Sequence, residues 1–598
     1  MDMGGEYEKR KETENRIMDE NKKQILNAVK EGDYEKAEAL FQKCKEQAAW
    51  YDDVAAILDA AIGEYFEDRM RMWEAIRSGL MNNCRNYELY VMLGNYYLQE
   101  NPNQSWLCYE NALFYCDVPE DRDAISQLLC QLEEQHHITV NKTSVVILSF
   151  NLLEYTKLCI ESIRMTTPES AREIVVVDNG SRDGSVEWLR EQEDIVLVEN
   201  EENVGFPAGC NQGILAGSRN SDVFLLNNDT VLPANALFWL RMGLYEQEEV
   251  GSVGSVTNFA NNQTVIEGVD DAAALLAFGE KRNIPMKYPY EDRLYLIGFA
   301  LLIRRSVIKK AGLLDERFSP GNSEDLDYGL RVLMSGHRNV LCKNSFILHF
   351  GSKSFGKDPE KHASAIGNNL QKLKEKWGFD VGYYSFWREE LIRLIEEPAE
   401  KPMRLLDIGC GCGALMARAR SLYPNLEAYG VELVPEVAKF ASCMGTVLCG
   451  DVETLDFPWE EASFDYIIMG DVLEHLMTPE KLLNRLQKYL KPDGHIIVSM
   501  PNVKHYSVML PLLQRDEFSY SDAGILDRTH VKMYTGVEIQ KLLLRCGYGI
   551  ETLGYTVMGK PDEDEEKMID MLNSLMERPA RESFLAYQYI LRARCVEC

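Results

Sequence analysis

The sequence predicts a multidomain chain: an all-α helical-repeat region followed by two α/β domains. Three observations predict it: helical periodicity with few strand signals before residue 140, short apolar runs alternating with helical patterns from Ser144, and a second such series from Arg404. Its 598 residues suffice for several separate cores. With 64 basic and 95 acidic side chains the formal charge is −31, and 45% hydrophobic against 27% charged residues is a globular composition. Such acidity argues against a nucleic-acid partner, because displacing counterions from phosphates takes a basic face.

The opening MDMGGEYEKRKETENR lacks the apolar core of a secretory signal, and residues 1–20 read as a flexible tail. The longest apolar run, YLIGFALLI (Tyr295 to Ile303), is about half of the ~20 residues that cross a bilayer, so no transmembrane segment is expected. Fifteen cysteines are scattered without paired C-x-x-C clusters, which fits reduced thiols in a cytoplasmic protein. Cys595-Val-Glu-Cys598 is a lone pair at the chain end and reads as incidental. Over residues 21–140, the trio Ala37, Phe41 and Cys44 recurs 68 positions later as Ser105, Tyr109 and Ala112, twice a 34-residue period. Small-aromatic-small at helical spacing lets two helices approach closely. GDYEKA and YELYVMLGNYYLQ (Tyr87 to Gln99) resemble the two helices of a tetratricopeptide repeat, which implies a stack with a concave face suited to gripping a peptide. An irregular helical bundle is the plainer alternative.

In open α/β sheets, ligands sit beyond the carboxyl ends of strands, so polar residues that follow apolar runs are the first candidates. In the domain expected over 143–380 these are Asn151 after SVVILSF, Asp178 after EIVVV, and Asn227-Asn228-Asp229 after DVFLL. Singly, each suits a turn cap. Together, SVVILSFN, VVVDNGSRDGS, NVGFPAGCNQGI, LLNNDT, GFALLIRR, SPGNSEDLDYGLR and HFGS resemble, in order, the family 2 glycosyltransferases of the GT-A fold, from about Ser144 to Asp380. The resemblance implies a nucleotide-sugar donor held by Asn151, Asp178, Asn203, Asn227 and Asn228, with Asp178 at the base. LLNNDT stands where that family has its metal-binding D-x-D. Asn227 replaces the first acid, which leaves Asp229, with His349, as the implied ligands of a divalent cation, Mn²⁺ or Mg²⁺.

A sugar diphosphate becomes a good electrophile once the charge growing on its leaving phosphates is neutralised, which a divalent ion does as a Lewis acid. The attacking hydroxyl must also lose its proton, and a carboxylate within reach can take it. GNSEDLDYGLR presents Glu324, Asp325 and Asp327 at the start of a helix, whose dipole is expected to keep them ionised, and one of the three is expected to cap that helix. The family motif puts the base at Asp325, with Glu324 second, and the family inverts the anomeric configuration. His349 has a plain alternative as a packed core histidine.

Residues 381–402 read as a linker helix and 403–598 as the second α/β domain. RLLDIGCGCGAL is a strand, a turn and a helix, in which Gly409, Gly411 and Gly413 let the backbone approach a ligand. Read as Gly409, Gly411 and Ala414, the loop also fits a dinucleotide fingerprint, so the other strands must decide. Glu432 closes the second strand, placed for ribose hydroxyls. Asp451 closes the third, placed for an adenine amine, and DVLEHL, opening on Asp471, follows the fourth. DIGCGCG, GVEL, GDVETL, DVLEHL and LKPDGHIIVSMPN resemble, in order, the class I S-adenosylmethionine-dependent methyltransferases and imply their Rossmann-like seven-stranded fold. The implied cofactor is S-adenosylmethionine, held by Asp407, Gly409, Gly411, Gly413, Glu432, Asp451 and Asp471. His475, His505 and His530 are candidates for the base that takes the acceptor proton, with His475 and His530 ahead. Val503 to Thr529 reads as a long loop shaping the acceptor pocket, SFLAYQYILRARC (Ser583 to Cys595) as an edge strand, and PDEDEEK (Pro561 to Lys567) as a solvated loop.

The expected function is a bifunctional enzyme. It transfers a sugar from a nucleotide-sugar donor to a glycan or glycoprotein acceptor, a protein acceptor being gripped by the repeats, and methylates a hydroxyl of that glycan. Two alternatives stay open: a helical-repeat scaffold with degenerate catalytic domains, and a methyltransferase acting on an unrelated small molecule or RNA.

Overall fold

The computed structural model describes residues 20–45, 51–351 and 359–596. Apart from Glu20, the tail expected over 1–20 lies outside the described residues, as do Ser352 of HFGS and Cys598 of the terminal C-x-x-C. The chain forms two compact units, one of Met1–Glu291 with Tyr295–Lys372, the other of Asp292–Leu294 with Leu373–Cys598. No described helix is long and apolar enough to cross a membrane.

The first unit opens with helices α1 (20–30), α2 (Tyr34–Lys45), α3 (Asp53–Tyr65), α4 (Arg69–Asn82), α5 (Tyr87–Tyr97), α6 (Pro102–Tyr115) and α7 (Pro119–Gln135). Their starts are written in the sequence. The side chains of Asp52, Asp68, Asn86 and Asn101 each accept from a first-turn amide of α3, α4, α5 and α6, a cap worth about 1 kcal/mol apiece. Both recurring trios are buried: Ala37, Phe41 and Cys44 on α2, and Ser105, Tyr109 and Ala112 on α6. The close approach they promised occurs at Gly94 of α5, where a Cβ would lie 2.3 Å from the Tyr109 ring.

An eight-stranded sheet follows in the same unit, in the order β3-β2-β1-β4-β8-β6-β9-β7. Its strands are β1 (Thr143–Ser149), β2 (Arg172–Asp178), β3 (Ile195–Glu199), β4 (Asp222–Asn227), β6 (Val250–Val256), β7 (Tyr290–Arg293), β8 (Ala300–Ile303) and β9 (Arg338–Phe346). β1 to β4 are parallel, and Asp178 stands opposite both Ser149 and Glu199. β8 runs antiparallel to β4 and to β6. A separate ribbon pairs β5 (Thr230–Val231) with β10 (Leu348–His349) and sets His349 opposite Thr230.

The helical region and this sheet share one core, which runs from Ala56 through Leu107 and Phe224 to Ile347. The helix Ala236–Leu244 is buried at every residue and meets α6. Gln104 donates to the Met242 carbonyl at 2.9 Å, and Arg241 forms a buried ion pair with Glu110. The helices are thus part of the wall of the sheet.

The second unit holds a seven-stranded sheet in the order β13-β12-β11-β14-β15-β17-β16. Its strands are β11 (Met403–Ile408), β12 (Leu426–Glu432), β13 (Thr446–Cys449), β14 (Phe464–Gly470), β15 (Leu490–Pro501), β16 (Tyr548–Val557) and β17 (Ala586–Cys595). β11 to β15 are parallel, and β17 is antiparallel to both its neighbours. The C-terminal strand therefore joins this sheet as expected, but inside it; β16 is the edge, and its alternating burial is what one wet face produces.

Three further local readings need correction. PDEDEEK is not a loop: Asp562 and Glu565 make a reciprocal capping box that starts the helix Glu563–Ser574. Residues 381–402 contain two single-turn helices, Val381–Tyr384 and Glu389–Ile392, in place of one linker helix. The segment from Val503 to Thr529 carries a helix, Tyr506–Arg515.

The buried ion pair gives a direct test of the shared core. Arg241→Met leaves Glu110 charged without its partner and should lower the unfolding free energy of the first unit by about 3–5 kcal/mol. Adding Glu110→Leu should recover most of that loss, as read by guanidinium denaturation of the full chain.

Candidate functional sites

In the first unit, Asp178 closes β2 fully buried. Its Oδ1 accepts from the amides of Gly180 (3.1 Å) and Ser181 (2.8 Å), while Oδ2 has no hydrogen-bond partner. Asn179, passed over in the sequence although it sits inside VVVDNGS, is the hub of the neighbouring loop. Its Nδ2 donates to Asn203 Oδ1 at 2.9 Å, and its Oδ1 accepts from Asn200 and from the Val204 amide. Asn203 also accepts from the Gly205 amide, so its role in the loop is structural. Asn151 has φ +56° and accepts from the Arg182 amide at 3.0 Å. Asn228 points back into the fold, donating to Thr156 Oγ1 at 3.0 Å.

Asp229 and Asn227 meet His349 across the β5–β10 ribbon. His349 Nδ1 is 2.7 Å from the Phe259 carbonyl, which can only accept, so Nδ1 carries a proton, which in the neutral ring leaves a lone pair on Nε2. Nε2 lies 3.2 Å from Asp229 Oδ1 and 3.4 Å from Asn227 Nδ2. A lone pair facing a carboxylate at that distance calls for a proton or a cation between them. The Phe299 ring stacks on the imidazole at 4.9 Å and fixes its plane.

The acids of GNSEDLDYGLR divide their roles. Asp327 is buried in an ion pair with Arg331 at 2.8 Å and is structural. None of the three caps the helix Glu324–Met334, whose N-cap, Ser323, makes no side-chain cap bond. Glu324 is buried with Oε2 lacking a partner. Burial, reinforced by the charge of Asp325 beside it, holds the Glu324 carboxyl well above the ordinary range, and burial raises the partly exposed Asp325 as well. Both carboxyls are thus raised at a helix start expected to favour ionisation: a dipole worth about 0.3–1 kcal/mol does not outweigh desolvation. Asp325 keeps the better claim to be the anion, because its oxygens accept from the amides of Leu326 and Gly298. Gly298 leads directly into Phe299, whose carbonyl accepts from the Asn227 amide and whose ring rests on His349. The segment GFALLIRR thereby ties the carboxylate pair to the Asp229–His349 pair, and Asn369 anchors the loop before Glu324 through three carbonyls.

In the second unit the turn after β11 has positive φ at Gly409, Gly411 and Gly413, and a Cβ on Gly411 would lie 2.7 Å from the Tyr384 carbonyl. Gly409 is exposed beside this turn, which leaves its backbone open to a ligand. Glu432 accepts from the amides of Gly411 (3.0 Å) and Val434 (2.9 Å), and burial raises its pKa against those two bonds. Burial pushes the Asp407 carboxyl up to about 8, with the Arg388 guanidinium pulling down and Glu432 pushing up. Asp451 is exposed and accepts from the Glu453 amide. Asp471 is half-buried, and its carboxylate accepts from Arg388 (2.9 Å), Gln588 (2.7 Å) and Ser499 (2.7 Å). Arg388 was hidden in the segment read as a linker.

The candidate bases also separate. His505 caps the helix Tyr506–Arg515, accepting from the Ser507 amide, and burial pushes its imidazole down to about 4, too weak a base to serve. His475 and His530, far apart in sequence, lie with ring centroids 4.7 Å apart.

Residues 144–312 match the family model described as glycosyl transferase family 2, and residues 381–553 match a model described as a methyltransferase domain. The chain is 27% identical over 128 residues to ajmaline N-methyltransferase of Rauvolfia serpentina, covering 19% of this chain and 44% of that protein. It is 26% identical over 209 residues to the mitochondrial ubiquinone biosynthesis O-methyltransferase of Bos taurus, covering 30% and 55%. The chain thus spans about half the length of these relatives. Among solved structures, similarity extends to a mannosyltransferase from Pyrobaculum calidifontis in complex with GDP-Man and Mn²⁺ (16% identity, 39% of this chain and 64% of that one, TM-score 0.30). It extends also to a SAM-dependent methyltransferase from Archaeoglobus fulgidus (19%, 37% and 97%, TM-score 0.26). The chain therefore joins a family 2 glycosyl transferase domain to a methyltransferase domain behind an N-terminal run of helices.

Proposed function

We propose that the protein is a bifunctional enzyme that transfers a sugar from a nucleotide-sugar donor, with inversion, to a glycan or glycoprotein acceptor and methylates a hydroxyl of that glycan from S-adenosylmethionine. The observation that carries this reading is the tie between the Glu324–Asp325 pair and the Asp229–His349 pair through Gly298-Phe299.

In the first half-reaction Asp178 Oδ2, buried and without a donor, receives an N–H of the nucleotide base. Asp229 and the lone pair of His349 Nε2 fit a divalent cation, Mn²⁺ or Mg²⁺, which when bound neutralises charge on the leaving pyrophosphate. Asp325 takes the proton of the attacking hydroxyl, and Glu324, the more strongly raised of the two, keeps its own. A single displacement inverts the anomeric carbon. In the second half-reaction S-adenosylmethionine supplies the methyl group as a sulfonium. Glu432 holds the ribose and Asp407 the methionine ammonium, while the glycine turn excludes side chains from the donor. Fusion to a sugar-transferring domain supports a hydroxyl as the methyl acceptor, since joining two domains in one chain raises the effective concentration of one step's product for the next.

Two measurements test these roles. Asp325→Asn should lower sugar transfer by about 10²–10⁴-fold while leaving nucleotide binding unchanged in calorimetric titration; full turnover would remove Asp325 from the reaction. For Asp407 the sign follows from its raised pKa: the free carboxyl is protonated below about 8, and the bound ammonium needs it ionised. S-adenosylmethionine affinity should therefore rise by about tenfold per pH unit from about pH 5.5 to about pH 7.5, with a proton released on binding. Asp407→Asn should bind weakly and without that slope.

A further inference from the structure

The turn after β14 assembles a second set of ligand atoms outside the donor sites. In DVLEHL the segment Leu473–His475 forms one 3-10 turn, and the DRTH segment returns to it: the Glu474 carbonyl accepts from the amides of Val531 (3.0 Å) and Lys532 (3.1 Å). This brings Glu474, His475 and His530 together, with one ligand atom from each lying within 4.8 Å of the others.

The hydrogen bonding gives this cluster its meaning. His530 Nδ1 is 2.8 Å from the Ile525 carbonyl, and His475 Nδ1 is 3.2 Å from the Thr529 carbonyl. Carbonyls only accept, so each imidazole carries a proton on Nδ1, which in the neutral ring leaves the Nε2 lone pair for a ligand. A backbone partner that fixes the tautomer in this way is the usual companion of a metal-ligating histidine. Between them stands Glu474, fully buried, with neither carboxylate oxygen bonded to a donor. A proton on Glu474 would not close the gap, because His530 Nε2 is 4.0 Å from Oε1, beyond hydrogen-bond range. Two imidazoles grouped this closely with a buried carboxylate that no donor satisfies form a candidate cation site. Coordination places ligand atoms about 3.3 Å apart around a bond length of about 2.0–2.1 Å, a contraction of up to about 1.5 Å from the present spacing.

We propose that Glu474, His475 and His530 bind a divalent cation, Zn²⁺ by the character of the ligands, that holds the oxygen of the methyl acceptor. Two neutral imidazoles and one carboxylate with a position left open make a donor set typical of catalytic zinc. The turn begins beside the donor loop, since a Cβ on Gly409 would lie 2.8 Å from Val472 Cγ2. An acceptor hydroxyl bound to the cation loses its proton to water. The oxygen's electron pair then forms the O–CH₃ bond as the S–CH₃ bond breaks, and neutral S-adenosylhomocysteine leaves. The role of the site rests on the methyltransferase reading; its ligands do not.

The test uses the full chain carrying Asp229→Ala and His349→Ala, which removes the first cation site, stripped with a chelator and dialysed against Zn²⁺ or Co²⁺. The expected result is one Zn²⁺ bound per chain and a visible ligand-field band with Co²⁺. His475→Gln with His530→Gln should abolish both, and the isosteric Glu474→Gln should weaken Zn²⁺ binding by about 100-fold or more. S-adenosylmethionine binding, measured on the same samples, reports that the second unit is folded. Unchanged Zn²⁺ stoichiometry in the His475→Gln, His530→Gln chain, or no Zn²⁺ in its parent while S-adenosylmethionine binds, overturns the cation site. Zn²⁺ bound as expected with no S-adenosylmethionine binding upholds the ligands and sinks the methyltransferase reading instead.

Discussion

Both sheets end in carboxylates that the protein itself leaves short of donors. Asp178 Oδ2, Glu324 Oε2 and both oxygens of Glu474 are buried without a partner, and Asp407 is held up to about 8 by burial. Leaving a buried acceptor unpaired costs about 1–3 kcal/mol, more for a charge, and folded proteins rarely carry several without a reason. Asp178, Asp407 and Glu474 lie where parallel strands end and the chain turns away, the place in such sheets where a ligand can reach the backbone, while Glu324 opens a helix. A ligand that brings an N–H, an ammonium or a metal ion to these oxygens removes the penalty.

The same logic separates working groups from supports. Asp327, Asp471, Asn203 and Asn228 stand in the motifs beside the candidates, yet each is bonded within the protein. Arg388 illustrates the support: it joins Asp471, Ser499 and Glu390 in one network and lowers Asp407 from a distance. Phe299 does comparable work in the first unit by stacking on His349. The helices α3 to α7 belong to this supporting class as well, because their core is continuous with that of the sheet, whereas α1 and α2 pack with α3 in a cluster of their own. Any partner they grip would have to use the surface left over from that packing.

Much of this was legible in the sequence for one physical reason: a buried parallel strand is a short apolar run, and the residue that ends it is the residue at the site. Asp178, Asn227 and Glu432 stand at the ends of their strands, where that rule puts candidates. The glycine turn after β11 was found because backbone of positive φ needs glycine. What stayed hidden depends on contacts between distant segments. Nothing in DVLEHL or DRTH states that His475 and His530 meet. The insertion of β17 between β15 and β16 is a matter of topology, which alternation along one strand does not encode. PDEDEEK was a different failure: its acidic run masked the D-x-x-E capping pattern of Asp562 and Glu565, which was there to be read. The upward shift of Glu324 and Asp325 is not legible in the sequence, because the helix start is visible there and the burial around it is not.

The most direct measurement of the account is calorimetric titration of the full chain with S-adenosylmethionine and, in the presence of Mn²⁺, with a panel of nucleoside diphosphate sugars. Two ligand sites at the tips of two sheets predict one S-adenosylmethionine and one nucleotide sugar bound per chain, each with an affinity unchanged by the other. Competition between the two ligands, or the absence of binding by either, would contradict it.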